Sequence, residues 1–293
     1  MKRANLFVLG AQKSGTSSLH YYLKFVNAIH MCNAKETFFF TQDNWRDFDS
    51  YHQNYQNSGN AKYCGESSTA YTMQPAYPNV APRLHEYNSQ ANLIYIVRDP
   101  IERAISNYWW NVHLCLETRR PLEAIKSNLQ YQQTSDYAFQ IRPYLDLFDQ
   151  NQLKFVLFED LKQSPRQMIS QICDWLEIGF DIQSDDIFSV IRRKTGQNIE
   201  QIDTTTLMGK LRASKAWQSY LRNFVPDKVR QIGKPLATQT LDKNSPQILA
   251  EIEQVKDYLR PLMQPKFEQF ERMVSLDFSK WTTLYKGDGG IKK

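Results

Sequence analysis

The chain has 293 residues, of which 41% are hydrophobic and 13% aromatic, and it carries a formal net charge of +5. The charge is spread too evenly for a nucleic-acid surface, and no apolar stretch approaches the roughly 20 residues of a membrane span, so neither partner is expected. Four separated cysteines without a C-x-x-C pair, and the absence of a cleavable signal after Met1, predict a reduced, cytoplasmic protein without structural zinc.

The first predicted strand, Leu6–Leu9, leads into the turn Gly10–Ser17 (GAQKSGTS) and then into a predicted helix. A turn of this kind directs backbone amides and the positive end of the helix dipole at one point, which predicts a phosphate site. The two glycines have the spacing of a Walker-type loop. However, Thr16 stands where that loop requires a lysine, and Lys13 lies three residues earlier. The turn therefore lacks the lysine with which nucleoside triphosphatases offset phosphoryl charge.

A second predicted strand, Asn92–Val97, ends at Arg98 and is followed by a helix. Asp99 is a good N-cap for this helix, and Glu102 is placed as in a capping box. Ser106 lies about two turns into the helix, so an arginine fork and a hydroxyl group can converge on one phosphate. The alternative is an ion-paired strand end beside a serine that is satisfied within its helix.

A third apolar run, Leu153–Phe158, precedes a helix predicted from about Pro165 to Leu176. Beyond residue 180 the pattern is mostly helical, and a helix from about Pro246 to Val274 is expected to be interrupted near Pro261 and Pro265. Apolar runs that alternate with helices predict an α/β fold. We expect a P-loop-like parallel β-sheet flanked by helices, with a mostly helical C-terminal part.

Several segments resemble those of sulfotransferases that use 3′-phosphoadenosine 5′-phosphosulfate (PAPS). The turn GAQKSGTS resembles their G-x-x-K-[ST]-G-T-[ST] motif, and Arg98–Tyr108 resembles their R-[DN]-P-x-x-R-x-x-S-x-Y motif. Weaker similarities to the bacterial and glycan (heparan-sulfate-type) branch lie at Lys35–Phe40 (KETFFF), Gly65–Tyr71 (GESSTAY), Glu159–Leu161 (EDL) and Leu276–Trp281 (LDFSKW). The resemblance covers roughly residues 5 to 180 well and the rest loosely.

The resemblance implies metal-independent transfer of a sulfuryl group from PAPS to a hydroxyl or amine of a small metabolite or carbohydrate. Lys13 is implied to stabilise the leaving oxygen, Arg98 and Ser106 to bind the 3′-phosphate, and Arg103 to be structural. The residues implied to bind the 5′-phosphate are Ser14, Gly15, Thr16, Ser17 and Ser18. A basic lid over the nucleotide is implied at Arg193 and Lys194.

The general base that the resemblance implies is Glu36, in a loop that should face the donor. Direct attack by a hydroxyl requires such a group. A surface glutamate paired with Lys35 is the alternative, and His85 or His113 would be the next candidates for the base. Glycan-type relatives carry a lysine where this chain has Ser67, and the sequence does not show what replaces that lysine.

The acceptor is expected to contact Lys35, Phe38, Tyr71 and Trp109, although aromatic residues beside strands equally often belong to the core. We expect one sulfotransferase domain over residues 1–293, with a nucleotide-binding core at 1–180, a helical part at 181–285 that completes the site, and a flexible tail at 286–293. The oligomeric state cannot be predicted. The alternatives are a small-molecule or nucleotide kinase with an atypical loop, and an inactive nucleotide-binding relative, for which Ser67 is the best argument.

Overall fold

A computed structural model of the chain describes residues 2–189, 196–214, 217 and 235–285. In this part of the chain, five strands form a sheet of order β2-β3-β1-β4-β5 in which every neighbouring pair is parallel. The strands are β1 (Leu6–Gly10), β2 (Ile29–Met31), β3 (Tyr63–Glu66), β4 (Asn92–Val97) and β5 (Leu153–Leu157). β1 lies at the centre, where Leu6 is in register with Gly65 of β3 and with Asn92 of β4. After β3 the chain crosses to the other side of β1, and parallel sheets bind their ligands beside such a switch point.

Helices pack on both faces of the sheet. The helices of the described residues are, in chain order, α1 (Thr16–Leu23), α2 (Phe48–His52), α3 (Val80–Tyr87), α4 (Pro100–His113), α5 (Pro121–Ser127), α6 (Gln130–Gln133), α7 (Tyr137–Leu145), α8 (Phe158–Gln163), α9 (Pro165–Trp175), α10 (Leu207–Ala213) and α11 (Pro246–Glu271). Short 3-10 helices lie at Phe39–Thr41, Gln53–Tyr55, Thr69–Thr72, Gln150–Gln152 and Asp185–Ser189. The expected α/β fold with a parallel sheet is confirmed.

The apolar side chains of β1 alternate between two buried faces. Leu6 and Val8 join a cluster with α1 and α9. Phe7 points to the other face, where its ring lies 5.9 Å from that of Phe40 and 6.4 Å from that of Tyr87. Because both faces are covered, the strand is continuously apolar, as is usual for a central parallel strand.

The start of α4 shows which part of the expected capping box forms. Asp99 Oδ1 accepts hydrogen bonds from the amides of Ile101 (3.0 Å) and Glu102 (3.2 Å), which confirms the N-cap. The reciprocal bond differs from the expectation, because the Asp99 amide donates to Glu159 Oε1 at 3.3 Å. Glu102 instead pairs with Arg98. Glu159 follows β5, the neighbour of β4, so the pairing of the strands brings a more distant carboxylate to this amide.

The C-terminal part differs from the expectation in two respects. Helix α11 continues through Pro261 and Pro265 without the expected interruption. Its buried apolar side chains recur every fourth residue, and this packing outweighs the amide hydrogen bonds that the prolines cannot make (Val255, Leu259, Met263, Phe267). Two antiparallel strands that were not expected, β6 (Asn198–Ile202) and β7 (Thr238–Asp242), also pair here.

The contacts within the chain divide it into two compact units. One holds the described parts of residues 1–103, 132–193 and 260–293, and the other holds those of residues 104–131 and 194–259. This grouping does not follow the order of the chain, because the end of the chain joins the unit that contains the large sheet. None of the described helices is both long and apolar enough to cross a bilayer.

Candidate active site

Several predicted site residues follow the carboxyl ends of three strands of the sheet. The turn Gly10–Ser17 follows β1, Lys35 and Glu36 follow β2, and Arg98 follows β4. Since these strands are parallel, their carboxyl ends meet at one edge of the sheet. This edge is where ligands bind in open α/β sheets.

The turn after β1 has a backbone that suits an anion. Gly15 has a φ of 90°, and a Cβ atom there would lie 2.7 Å from Phe158 Cδ2, so the position requires glycine. Lys13 adopts a φ of 71°, which is strained for a residue with a side chain. The amides of Gly15, Thr16 and Ser17 have no acceptor among the described residues, as is usual at the start of a helix. These unpaired amides fit a phosphate group.

The same turn is fixed by hydrogen bonds to neighbouring elements. The Ala11 amide donates to the carbonyl of Ile96 in β4 at 2.6 Å. Arg103 is fully buried, and it donates from Nε to Ser135 Oγ at 2.6 Å and from Nη1 to the Gln12 carbonyl at 3.5 Å. These contacts give Arg103 the structural role that was expected.

Arg98 lies close to the turn through a shared aromatic ring. Its guanidinium carbon lies 5.0 Å from the centre of the Phe158 ring, the same ring that abuts Gly15. Its Nη2 lies 3.4 Å from Glu102 Oε2, and its side chain is 20% exposed. The structure therefore brings the two predicted halves of the phosphate site together on Phe158. The sequence analysis did not single out this phenylalanine, although it directly precedes the EDL segment that resembles the family.

The segments after β2 and β3 are joined around Glu36. Lys35 Nζ lies 2.6 Å from Glu36 Oε1, and Thr69 Oγ1 donates to Glu36 Oε2 at 3.2 Å. The Ser67 amide donates to the Lys35 carbonyl at 2.9 Å. The Glu36 side chain is 18% exposed, so the pair with Lys35 is formed but is largely shielded from solvent.

Ser67, which replaces the expected lysine, is part of a neutral buried pair. Its Oγ lies 2.9 Å from His20 Nδ1, and both residues are buried. Burial, followed by the charges of Lys24 and Lys35, lowers the pKa of His20 to about 3. The imidazole is therefore neutral near pH 7, and neither residue supplies the missing positive charge.

Glu66 is a fully buried carboxyl group at the end of β3, and the sequence reasoning assigned it no role. Burial raises its pKa to about 7, while hydrogen bonds from hydroxyl groups oppose this shift. The titratable groups that face it have pKa values raised mainly by burial and are neutral near pH 7 (Cys32, Tyr51, Tyr55, Tyr71, Tyr87).

This carboxyl group predicts a specific dependence of stability on pH. The pKa of Glu66 is about 7 in the folded state and 4.5 ordinarily. Between these two pH values the folded state retains a proton that the unfolded chain has lost. The stability from this group is complete below about pH 4.5 and is lost as the pH rises through 7. Between pH 5 and 8 the free energy of unfolding should therefore fall by about 2 to 3 kcal/mol more in the wild type than in Glu66→Gln. Denaturant titrations at both pH values measure the difference, and equal pH dependence in the two proteins would contradict the prediction.

The aromatic residues near Glu36 divide between core and surface. Phe39 and Phe40 are buried, and Tyr71 is buried with its hydroxyl 2.5 Å from Glu66 Oε1. Tyr71 therefore has the core position that was the alternative to a pocket wall. Phe38 is 43% exposed, and it remains the aromatic candidate for contact with an acceptor.

The other predicted residues lie in the second compact unit or outside the described part of the chain. Ser106 is half-buried on α4, and Trp109 is buried with Lys243 Nζ 5.3 Å from its ring centre. Arg193 and Lys194 lie outside the described residues. The described residues include no group of three or more His, Cys, Asp or Glu side chains that could hold a metal ion.

Comparisons with known proteins identify the family. A family model described as "Sulfotransferase domain" matches residues 3–240. The "Membrane-associated sulfotransferase kil1" of Dictyostelium discoideum is 32% identical over 120 residues, which are 40% of this chain and 25% of that protein. The "Sulfotransferase 2A6" of Mus musculus is 25% identical over 125 residues, which are 39% of this chain and 41% of that protein. The matched regions thus span less than half the length of either relative.

A solved structure shares the fold over nearly the whole chain. It is a sulfotransferase from Alicyclobacillus acidocaldarius, which superposes with a TM-score of 0.66 and covers 96% of this chain and 99% of that one. The sequences are 22% identical, so the likeness concerns the fold.

Proposed function

Because the chain belongs to the sulfotransferase family, we propose that it transfers a sulfuryl group from PAPS to a hydroxyl or amine of a small metabolite or carbohydrate. The observation that carries this proposal is the packing of Gly15 and Arg98 against the same ring of Phe158. This packing sets the unpaired amides of Gly15–Ser17 near a guanidinium group. Two anion-binding elements at one edge of the sheet suit a nucleotide with two separate phosphates.

The turn after β1 would hold the 5′-phosphate through its free amides, with the side chains of Ser14, Thr16, Ser17 and Ser18 available around them. Arg98, oriented by Glu102 and Phe158, would bind the 3′-phosphate through its guanidinium group. Lys13 would stabilise the negative charge that develops on the leaving oxygen. The sulfuryl group carries only one negative charge, so we propose that one lysine and oriented amides suffice without a metal ion.

The acceptor side of the reaction centres on Glu36. The acceptor oxygen forms a bond to sulfur while the bond from sulfur to the 5′-phosphate oxygen breaks. The acceptor proton passes to Glu36, and the electron pair of the broken bond remains on the bisphosphate product. Lys35, which lies 2.6 Å from Glu36, is our candidate for the positive charge missing at Ser67. Phe38 presents an exposed ring two residues away.

The proposal is tested first by binding and then by turnover. The protein should bind adenosine 3′,5′-bisphosphate more tightly than ATP, with the same affinity in magnesium and in EDTA. A preference for ATP that requires magnesium would instead indicate a kinase. Labelled PAPS should then be incubated with a panel of hydroxylated and amine metabolites and sugars. Tight bisphosphate binding without transfer to any of them would indicate an inactive nucleotide-binding relative. The cytoplasmic location remains a prediction from the sequence.

We expect Arg98→Ala to discriminate between nucleotides. The variant should bind adenosine 3′,5′-bisphosphate about 10 to 100 times more weakly, as expected for a lost charge-assisted hydrogen bond. Its affinity for adenosine 5′-phosphate should change little, because that ligand lacks the 3′-phosphate. Isothermal titration calorimetry measures both affinities.

The matched control for Arg98→Ala is Arg166→Ala. Arg166 also lies 5.0 Å from a phenylalanine ring, that of Phe180, and it also pairs with a carboxylate, that of Asp185. It is outside the proposed site, so neither affinity should change. Equal losses for both nucleotides in Arg98→Ala would remove Arg98 from the 3′-phosphate site.

A further inference from the structure

Glu66 is a buried carboxyl group that no step of the proposed reaction uses. We propose that Glu66 is a positioning residue, which holds the backbone next to Glu36 through three hydroxyl groups. This inference rests on the proposed function, in which Glu36 accepts the acceptor's proton.

The hydrogen bonds to Glu66 come from hydroxyl groups on two separate segments. Tyr71 donates to Oε1 at 2.5 Å, and Ser68 donates to Oε2 at 3.5 Å. Thr37, on the segment after β2, donates to Oε2 as well. Above about pH 7 the Glu66 carboxyl group is mostly ionised and can only accept hydrogen bonds. Each hydroxyl hydrogen is then directed at the carboxylate, and each hydroxyl oxygen keeps its lone pairs for another donor.

Those oxygen atoms accept hydrogen bonds from the backbone amides of four consecutive residues, Thr37–Phe40. The Ser68 hydroxyl accepts from the first two amides, at 3.0 and 3.3 Å. The Thr37 hydroxyl accepts from the third amide at 3.2 Å, and the Tyr71 hydroxyl accepts from the fourth at 3.5 Å. Every amide of this stretch is therefore connected to the carboxylate of Glu66 through one hydroxyl group.

This arrangement restrains Glu36 from both sides. Phe38 has a φ of 54°, a conformation that a bulky side chain adopts only when its surroundings impose it. On the other side of Glu36, the Lys35 carbonyl accepts the Ser67 amide at 2.9 Å. The backbone before Glu36 is thus held by Ser67, which directly follows β3. The backbone after Glu36 is held by the hydroxyl groups that Glu66 orients.

Replacing Glu66 with glutamine breaks this arrangement while preserving its shape. A glutamine presents one acceptor oxygen and one NH₂ donor. A hydroxyl group that faces the nitrogen must accept from it, and it then competes with the backbone amide that it held. The variant should therefore loosen Thr37–Phe40 while leaving the turn after β1 and Arg98 in place.

Hydrogen exchange tests this effect without reference to activity. At pH 8, amides of Thr37–Phe40 should exchange at least about tenfold faster in Glu66→Gln than in the wild type, because the hydroxyl groups that accept them lose their own hydrogen bonds to a charged group. Asp99→Asn is the matched control, because it removes another buried carboxylate and should leave these four amides unchanged. If Glu66→Gln does not fold, Thr37→Val removes the hydroxyl group that accepts the Phe39 amide, and it should accelerate the exchange of that amide. Amide exchange as slow in Glu66→Gln as in the wild type would overturn the proposal. If Thr37→Val is the variant measured, exchange at the wild-type rate there would overturn it.

Kinetics then test whether the positioning acts through Glu36. With PAPS and a hydroxyl acceptor, Glu66→Gln should lower kcat about 10 to 100 times, as small misplacements of catalytic groups do, with PAPS affinity within about twofold of the wild type. When Glu66→Gln is added to Glu36→Gln, kcat should not fall further, because the base is already absent. If Glu66→Gln lowers kcat in the Glu36→Gln protein by as much as in the wild type, the proposal is overturned. A wild-type protein that turns over no PAPS would instead overturn the proposed function, and the exchange experiment would still decide the role of Glu66.

Discussion

Lys13→Ala should lower kcat at least about 100 times, in the range found when a group that stabilises developing charge is removed. The proposed role of Lys13 is to offset charge on the leaving oxygen, and this charge is largest in the transition state. Alanine retains the Cβ atom of lysine, so the strain at φ 71° is unchanged and the fold should survive. Steady-state turnover of labelled PAPS measures the effect, with circular dichroism to verify folding.

Lys24→Ala is the control for the loss of a positive charge from the same region. Lys24 is exposed at the end of α1, where its ammonium group lies 3.3 Å from Asn33 Oδ1, and it has no proposed part in the reaction. Its removal should leave kcat near the wild-type value. A Lys13→Ala variant that keeps more than about a tenth of wild-type kcat would exclude the proposed role of Lys13.

Glu36→Gln should separate binding from chemistry. Glutamine keeps the size of the side chain and can still accept the hydrogen bond from Thr69, which lies 3.2 Å from the carboxylate. It cannot accept a proton, so kcat for a hydroxyl acceptor should fall by roughly 10² to 10⁴. The affinity for PAPS should stay near the wild-type value. Single-turnover kinetics together with a binding titration distinguish the two quantities.

The comparison variant is Glu86→Gln, which also replaces the acid of an ion pair. Glu86 Oε1 lies 2.9 Å from Arg46 Nη2 on the exposed surface, so this change should leave turnover unaltered. An acceptor that needs less proton removal, such as an acidic phenol or a neutral amine, should be less sensitive to Glu36→Gln. If a simple alcohol reacts as fast with Glu36→Gln as with the wild type, the base lies elsewhere, and His85 and His113 are the next residues to change.

Several features of the site could be predicted because they depend on residues close together in the chain. The turn Gly10–Ser17 joins an apolar run to a helix, and its glycines require no knowledge of the rest of the fold. The N-cap at Asp99 is equally local, since it bonds the amides of the next helical turn. The alternation of apolar runs with helices was enough to indicate a parallel sheet, because such strands are buried on both faces.

Other features depend on the order of strands in the sheet. Phe158 lies 60 residues from Arg98 and 143 from Gly15, yet its ring contacts both because β5 lies beside β4 and β4 beside β1. Glu159 accepts the hydrogen bond from the Asp99 amide for the same reason. Glu66 and Thr37 also come from different strand ends, and their contact requires β2 to pair with β3.

The sequence by itself therefore determined the family, the α/β class and the turn between β1 and α1, because these are encoded by spacing and by local backbone requirements. The tertiary structure alone decided that α11 passes through two prolines, that Tyr71 belongs to the core, and that Glu66 lies beneath the segment carrying Glu36. These outcomes depend on burial and on contacts between distant segments. Such contacts outweigh local preference, because packed apolar surface and shielded hydrogen bonds contribute more free energy than propensity does.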